Sequence, residues 1–346
     1  MRQQLLLGAL VLSSLCGCGD DGAPPADAAP ADAGTDAATI AAPPTPPTFT
    51  PCAPGWREVV SPAGLTTCDP WPEGGRQTCA DFDTHLPGEP GCAPIGTACP
   101  AGDFAEDLPT DVPIVYALAS ATTAGDGSLA RPFASLRTAI SRAATSGAVV
   151  AVGRGRYTSW LQLPNGVTLW GACPEQTVLS GDVEAGSVLA MGGVSATLRN
   201  LSIDHPGAAA VGAIGAGTEL RLENVVVRAS LGAAVNAIEG GHIAMSHVLV
   251  TGTLPASDGS GPAIAVDTGS TMDAQRVALE GSATMAAYIR DLGTTVTIED
   301  SVIADVTAHG RLQPAGIQVG RSSAFVLRRS VVERATDVGL IASGAG

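Results

Sequence analysis

The sequence predicts an all-β solenoid, in which short strands recur in stacked coils behind one capping helix. Five turn-like positions, four of them glycine, recur at steps of 24, 28, 24 and 28 residues, at Gly217, Gly241, Gly269, Gly293 and Arg321. A period in the twenties is typical of solenoid proteins. Leucine-rich repeats share this period, but their Leu/Asn consensus is absent here. Hydrophobic residues make up 45% of the 346 and aromatic residues only 3%, so the core must consist of Ala, Val, Leu and Ile.

The N-terminal pattern predicts an export signal over residues 1–17. Arg2 precedes an apolar run from Leu5 to Leu15, which is shorter than the ~20 residues that a bilayer span needs. The run ends in Leu-Cys-Gly-Cys, and this segment resembles the bacterial lipobox, in which a Leu and then a small residue precede an acylated cysteine. The resemblance implies that Cys18 is lipidated. An ordinary secretory signal with two incidental cysteines is the alternative.

The predicted anchor has consequences for location. Cys16 fits the lipobox worse than Cys18, because Ser13 stands where the lipobox has Leu. Several acyl chains on one cysteine would hold the protein on a membrane without a spanning helix. Gly19 differs from the retention residue of inner-membrane lipoproteins, so the resemblance favours the outer membrane or the cell surface. Residues 18–51 are almost all Ala, Pro, Asp, Gly and Thr, which predicts a disordered acidic tether.

A cysteine-rich segment over residues 52–112 follows the tether. Turn dipeptides dominate it and no C-x-x-C pair is present, so a zinc ribbon is not expected. An exported chain favours disulfides instead. We expect three bridges among six cysteines, one of them tying the segment to the next domain, and fifteen pairings remain open. The six are Cys52, Cys68, Cys79, Cys92, Cys99 and Cys173. Trp56 and Trp71 are interpreted as the sparse core of this module, with a ligand platform as the alternative.

The solenoid is predicted to begin with a helix after Ser135, a plausible N-cap. Leu136, Ala139, Ile140 and Ala143 recur at helical spacing on one face, and an apolar strand follows from Val149. The order GDGS, PF, AI, apolar strand and G-x-Y resembles the N-terminal cap of bacterial right-handed parallel β-helix proteins of the pectin-lyase-like superfamily. The resemblance implies a right-handed parallel β-helix over residues 113–346, with the helix plugging its open end.

Within the coils the pattern predicts two rows of inward side chains on either side of a bend. The first inward row is Leu198, Leu222, Met245, Ala274, Ile298 and Leu327. The second is Ile203, Val227, Val250, Leu279, Ile303 and Val332. The bend between them is predicted at Asn200, Asn224, His247, Arg276, Asp300 and Arg329.

An outward row lies next to the bend and carries the candidate chemistry. It consists of Arg199, Glu223, Ser246, Gln275, Glu299 and Arg328. Stacked strands lie about 4.8 Å apart, so Arg199 should face Glu223 and Glu299 should face Arg328. Opposite charges there would pin the register. The sharper hypothesis groups Asp273, Glu299 and Arg328 as a catalytic cluster, because pectate-lyase relatives hold calcium with carboxylates and abstract a proton with Arg.

The remaining signals argue for binding rather than catalysis. His205, His242, His247 and His309 show no metal-binding spacing. Glycan clefts on such folds offer aromatic platforms, whereas we expect the coils to supply only Tyr288 and an inward-facing Phe325. Calcium usually takes six or more oxygen ligands, so it is expected only under the lyase alternative. No cofactor is expected otherwise.

Charge and composition exclude some classes of function. The formal net charge of −15 argues against nucleic acid, and all 18 basic residues are Arg, which excludes Lys-dependent chemistry. We therefore expect a non-catalytic binding or structural module for a glycan or a cell-envelope partner. A polysaccharide lyase or glycoside hydrolase is the alternative.

The C-terminal coil repeats the earlier strands up to Gly346, with no polar cap after it. An uncapped last coil exposes apolar side chains and strand edges. The sequence therefore predicts either a longer natural chain or a second copy that covers this coil, through Phe325, Leu327, Val332 and Leu340.

Overall fold

The structure is a computed structural model that describes residues 50–344 except 63, 123–124, 159, 181–187, 208 and 308–313. The predicted export signal, the predicted lipidation site Cys18, almost all of the predicted tether and His309 lie outside the described residues. All described residues belong to one compact unit. No helix among them has the length and apolar character needed to cross a bilayer.

The cysteine-rich module is built from two small antiparallel sheets. Its strands are β1 (Arg57–Val60) with β2 (Thr66–Asp69), and β3 (Asp83–Thr84) with β4 (Ala93–Pro94). Three disulfides join Cys52 to Cys68, Cys79 to Cys92, and Cys99 to Cys173. The third ties the module to the solenoid, as the sequence predicted. Disulfides persist in oxidising compartments, which indicates an extracellular or periplasmic protein.

The solenoid opens with β5 (Ile114–Ala117), helix α1 (Leu136–Ala144) and β6 (Val149–Val152), which runs parallel to β5. The Ser135 side chain accepts a hydrogen bond from the Thr138 backbone N–H, so the predicted N-cap is confirmed. The four residues predicted for the apolar face of α1 are the ones that it buries. The helix therefore caps the first coil.

Nineteen further strands follow among the described residues. They are β7 (Gly155–Thr158), β8 (Leu161–Gln162), β9 (Thr168–Gly171), β10 (Thr177–Ser180), β11 (Val188–Met191), β12 (Ser195–Asp204), β13 (Val211–Ile214), β14 (Glu219–Arg228), β15 (Val235–Ile238), β16 (His242–Thr251), β17 (Ile264–Val266), β18 (Thr271–Glu280), β19 (Met285–Ile289), β20 (Thr295–Glu299), β21 (Val302–Val306), β22 (Ala315–Gly320), β23 (Ala324–Arg328), β24 (Val331–Ala335) and β25 (Val338–Ser343).

These strands stack in parallel on three faces. Face 1 contains β5, β6, β9, the first halves of β12, β14, β16 and β18, and then β20 and β23. Face 2 contains β7, β10, the second halves of the same four long strands, β21 and β24. Face 3 runs from β8 through β11, β13, β15, β17, β19 and β22 to β25. The architecture is the predicted right-handed parallel β-helix, since parallel crossovers are almost always right-handed.

The two predicted inward rows are confirmed. Each member of a row pairs in register with the next along the stack. Their side chains are buried up to Ile298 and Ile303, while Leu327 and Val332 of the last coil are half-buried. Leu340 in β25 is largely exposed.

The bend between faces 1 and 2 is a left-handed backbone position in every long coil. All six predicted bend residues have φ between 45° and 56°. Asn tolerates this region better than most residues, which explains Asn200 and Asn224. His shares this tolerance, whereas Arg276 adopts the same conformation without it. The side chains of His247 and Arg276 contact each other, as described below.

The turns between faces 3 and 1 correct the predicted repeat. Strand pairing steps by 24, 23, 29, 24 and 29 residues from Ser195. In register with the other turns, the left-handed position is therefore Gly240 rather than Gly241. In the last of these turns the equivalent residue is Ser322, and Arg321 before it is left-handed as well. Gly241 is required for a separate reason, because a Cβ on it would lie 2.4 Å from the Ala213 carbonyl oxygen. These turns hold three to five residues, whereas the corner between faces 2 and 3 holds from two to twelve.

The cysteine-rich module covers face 2. Trp71, Leu86 and Ile95 of the module form a second hydrophobic cluster with an outward row of the solenoid. That row is Val226, Leu249, Ala278 and Val302, with Ala304 beside it. Trp71 is thus core, which agrees with the first interpretation of this residue and not with a ligand platform.

Polar contacts rim this interface. Arg76 binds Glu280 and Glu333, and its side chain is only 8% exposed. Arg228 reaches Asp81 at 3.0 Å. The Asn200 amide donates to Thr97 Oγ1 at 2.8 Å while its oxygen accepts from the Thr97 backbone N–H at 2.9 Å. With face 2 occupied in this way, face 1 keeps a solvent-exposed outer surface.

Candidate functional site

The outward row of face 1 forms one continuous line across seven strands. Trp170 on β9 pairs with Arg199, and the line then follows the predicted residues through Glu223, Ser246, Gln275 and Glu299 to Arg328. Strand pairing fixes these positions to their neighbours, on both sides for all of them except Arg328, whose strand β23 ends the face. The row is therefore a rigid surface rather than a set of loops.

Ion pairs occupy both ends of this row. Arg199 Nη1 lies 3.0 Å from Glu223 Oε2, and Arg328 Nη1 lies 2.9 Å from Glu299 Oε1. Both pairs were predicted from the alternation of charge, and both are confirmed. Glu299 Oε2 also accepts from Arg329 at 3.1 Å, so each of its carboxylate oxygens has a guanidinium partner.

A shallow groove of about 390 Å³ lies between the two charged ends. Its outward lining comes from four neighbouring strands and consists of Arg221 and Glu223 on β14, Ala244 and Ser246 on β16, Asp273 and Gln275 on β18, and Thr297 and Glu299 on β20. Small side chains on β16 create the depression, because the strands on either side carry longer ones. The volume of the groove lies near the lower end of the range that is typical of small-ligand sites, about 300–1,000 Å³.

Asp273 differs from the other carboxylates of the groove. Its side chain is 69% exposed, and among the described residues the basic group beside it is the His242 imidazole, with Nε2 at 4.0 Å. Glu223 and Glu299 are held by Arg, and Arg221 binds Glu219. Asp273 is thus the one carboxylate of the lining that no guanidinium of the described chain neutralises.

The hypothetical catalytic cluster is only partly assembled. Asp273 and Glu299 line the same groove on adjacent strands. They are not opposite each other, because Asp273 pairs with Thr297 and Glu299 pairs with Gln275. Arg328 sits one strand further on and is bound to Glu299. No group of three or more His, Cys, Asp or Glu residues in the described chain could hold a metal ion.

The described histidines take separate positions. His205 contacts the Asp204 carboxylate at 2.8 Å, and His242 contacts Thr271 Oγ1 at 2.8 Å on face 1. His247 stands at the bend, where its Nε2 accepts from Arg276 Nε at 2.6 Å. The Arg276 guanidinium also binds Glu89 of the module. Burial, with Arg276 as a second cause, lowers the pKa of His247 below its ordinary value.

Two tryptophans near this surface were not recognised as part of it from the sequence. Trp170 was missed because it lies in the first coil, before the repeat becomes regular. Its ring is covered by the Arg199 guanidinium, 4.0 Å from the ring centre, so it is not free to stack on a sugar. Trp56 lines a second cavity of about 710 Å³ together with Leu327 and Arg329, between the module and the last coil. Of the two aromatics expected in the coils, Tyr288 lies on face 3 and Phe325 packs against the core.

Comparison with known proteins supports the fold and leaves the chemistry open. No protein-family model and no curated protein sequence matches this chain. Among solved structures, pectate lyase Pel9A is similar with a TM-score of 0.52 and 13% identity, over 67% of this chain and 66% of that chain. The A-module of the mannuronan C-5 epimerase AlgE4 from Azotobacter vinelandii is similar with a TM-score of 0.33 and 17% identity, over 63% of this chain and 77% of that chain. The pectate lyase likeness shows a parallel β-helix fold of the pectin-lyase-like type.

Proposed function

We propose that this chain is an exported β-helix that binds a polysaccharide in the groove on face 1 and does not cleave it. One observation carries the proposal: a groove of polar side chains lies on rigid strands, with its ends closed by ion pairs and its centre open. Sugar hydroxyls need donors and acceptors that are held in fixed positions, and strands hold side chains more firmly than loops do.

The state of the carboxylates supports binding over catalysis. Hydrolysis by paired carboxylates requires one to act as an acid and the other as a base or a nucleophile. Glu299 is engaged by two guanidinium groups, and Glu223 is engaged by Arg199. Asp273 therefore has no second free carboxylate beside it. A lyase or hydrolase remains the alternative function, and its products are measured in the same experiment.

The N-terminal sequence supports a place on the bacterial envelope. We propose that Cys18 carries the lipid anchor and that the acidic tether separates the folded part from the outer membrane or cell surface. Replacing Cys18 with Ser is expected to release the protein into the soluble fraction. Continued membrane association of that variant would remove the anchor from the proposal without touching the groove.

The binding claim is tested by filling the groove. Ala244 projects outward from the middle of β16, so Ala244→Tyr should block the groove while leaving the core intact. Ala265 projects outward from β17 on face 3, and Ala265→Tyr is the matched control. The full chain and both variants are screened against a panel of neutral, amino-bearing and uronate polysaccharides.

We expect Ala244→Tyr to abolish glycan retention and Ala265→Tyr to leave it unchanged. The reaction mixtures are also examined for shortened chains, unsaturated sugar ends and epimerised residues. Binding without any of these products supports the proposal. Chain cleavage that Ala244→Tyr abolishes would establish the enzyme instead.

A further inference from the structure

The charges around the groove specify which glycan it accepts. We infer that the groove on face 1 binds a glycan bearing a protonated amine, with Asp273 as the group that holds the ammonium, and that it rejects uronate chains. The inference rests on the proposed function, since it names the ligand class of the same groove. Three features of the surface lead to it.

The first feature is that the cations of this surface are already committed. Arg221 binds Glu219, Arg199 binds Glu223, and Arg328 binds Glu299. Arg329, at the bend, binds both Glu299 and Asp300. The chain contains no Lys that could take their place. A uronate carboxylate entering the groove would therefore find no free guanidinium or ammonium to pair with.

The second feature is the net charge of the lining. Three carboxylates, those of Glu223, Asp273 and Glu299, face one guanidinium, that of Arg221. Arg199 binds Glu223, and Arg328 and Arg329 bind Glu299, so Asp273 is the carboxylate whose negative charge the described guanidinium groups leave unpaired in the lining. A calcium ion could bridge such a surface to a uronate only if several oxygens converged on it. In residues 50–344, where the structure describes them, no such cluster occurs.

The third feature is the accessibility of Asp273. Its in-register neighbours on β16 and β20 are Ala244 and Thr297, which are short and uncharged. An ammonium group from solvent would reach Asp273 beside the His242 imidazole, whose Nε2 lies 4.0 Å from the carboxylate. Its three N–H donors suit a carboxylate together with nearby hydroxyls. Ser246 and Thr297 supply hydroxyls in the same groove.

A lysine-bearing peptide carries the same charge but fits this surface less well. Peptides dock on sheets by adding a strand to a free edge or by placing apolar side chains in a groove. The strands that form the groove, β14 to β20, are paired on both sides, so none offers a free edge. The outward residues of the groove include no large apolar side chain.

The experiment compares ligands that differ in one group. The purified full chain is titrated with N-acetylglucosamine oligomers of one length and with the same oligomers after de-N-acetylation, at a pH where the amine is protonated. Galacturonate oligomers and an oligolysine complete the set. Asp273→Asn removes the charge with little change of shape. Asp337→Asn makes the same change at an exposed carboxylate in the turn between β24 and β25, away from the groove.

We expect the de-N-acetylated oligomer to bind about tenfold more tightly than the acetylated one, as one added charge-assisted contact would give. Asp273→Asn should remove this preference, and Asp337→Asn should keep it. The second variant matters because the formal charge of −15 attracts any polycation. A preference that survives Asp273→Asn would be this general attraction and would overturn the inference.

Two other outcomes separate the inference from the proposed function. Preferred binding of galacturonate that Ala244→Tyr abolishes would overturn the inference while leaving polysaccharide binding in place. Binding of oligolysine through Asp273, with no glycan bound by the wild type, would overturn both. Thermal unfolding of all variants is measured in parallel, so that a loss of binding is not mistaken for a loss of fold.

Discussion

Strands β12, β14, β16 and β18 each contribute to two faces, and their outward side chains differ on the two sides of the bend. Before the bend the row runs through Arg199, Glu223, Ser246 and Gln275 and faces solvent. After the bend, on β14, β16 and β18, it runs through apolar residues that the disulfide-linked module covers. Because inward residues alone determine how the coils stack, one strand can serve stability on one side and recognition on the other. The predictions below test this division.

The largest effect is expected from releasing the module. Cys99→Ala combined with Cys173→Ala opens the bridge that closes a 74-residue separation. We expect a loss of about 4 kcal/mol in the free energy of unfolding, since longer closed loops restrict the unfolded chain more. Cys52→Ala with Cys68→Ala removes a disulfide between residues only 16 apart. The resulting loss in the free energy of unfolding should be about 1 kcal/mol smaller. Chemical denaturation measures both, and equal losses would contradict the role given to the inter-domain tie.

A smaller loss is expected when the covered row is made polar. Leu249 is 2% exposed beneath the module, so Leu249→Asn would bury an amide without partners and cost about 3 kcal/mol. Ala244→Asn makes an outward change on the other half of the same strand and should stay within about 0.5 kcal/mol. If the two variants lose the same free energy of unfolding, the outward residues of faces 1 and 2 do not differ in burial as described.

The ion pairs of the two faces should also differ in strength. Arg76 is nearly buried between the module and face 2, and its removal leaves Glu280 and Glu333 without their shared cation. We expect Arg76→Ala to cost about 2 kcal/mol. Arg328 is 61% exposed on face 1, and Arg328→Ala should cost less than about 1 kcal/mol. A higher salt concentration should reduce the unfolding free energy lost in Arg328→Ala further, because salt screens exposed ion pairs.

The smallest effect is a pH dependence at the boundary between the faces. His247 has a pKa below its ordinary value of 6.5, so the folded state binds this proton less readily than the unfolded chain does. Its stability contribution is therefore complete above pH 6.5 and is lost as the pH falls from there toward the lowered folded pKa. Protonated His247 could no longer accept the hydrogen bond from Arg276 Nε, and the two positive charges would repel each other. The carboxylates of Glu89 and Asp300, which interact with Arg276, would partly offset this repulsion.

His247→Asn provides the control for this pH dependence. Asn already occupies the equivalent left-handed bend at positions 200 and 224, so the variant should fold at neutral pH. Its stability should fall less between pH 7 and pH 5 than that of the wild type. A pH profile that the substitution leaves unchanged would assign the dependence to another group.

The solenoid itself was predictable because its rules are local. Alternation of apolar residues placed both inward rows, and the polar interruption between them located all six bend residues. The helix was recognised from its N-cap and its 3.6-residue spacing. The turn position was displaced by one residue in two coils. In the first of these, glycine at 240 and glycine at 241 satisfy the same pattern, and only strand pairing distinguishes them.

The docking of the module was not predicted, although its signal is present in the sequence. The second halves of β14, β16 and β18 contain three consecutive apolar residues, as in Val225–Val227 and Val248–Val250. In a strand the middle residue of such a triplet must point outward, so a row of triplets indicates a covered outer face. The groove gave no comparable signal, because it depends on the small residues Ala244 and Ser246 of one strand lying at the same height as longer residues on its neighbours.

The unequal corners of the coils bear on how this chain can be altered. The turns between faces 3 and 1, which lead into the groove strands, hold three to five residues, whereas the corner between faces 2 and 3 holds as many as twelve in one coil. The coils of this chain therefore differ in length mainly at one corner, on the far side of the coil from the groove. Insertions there change the contour of the coil without shifting the register of face 1. An epitope tag or a second binding domain grafted between Thr251 and Ile264 should accordingly be carried by a scaffold whose ligand surface keeps its spacing.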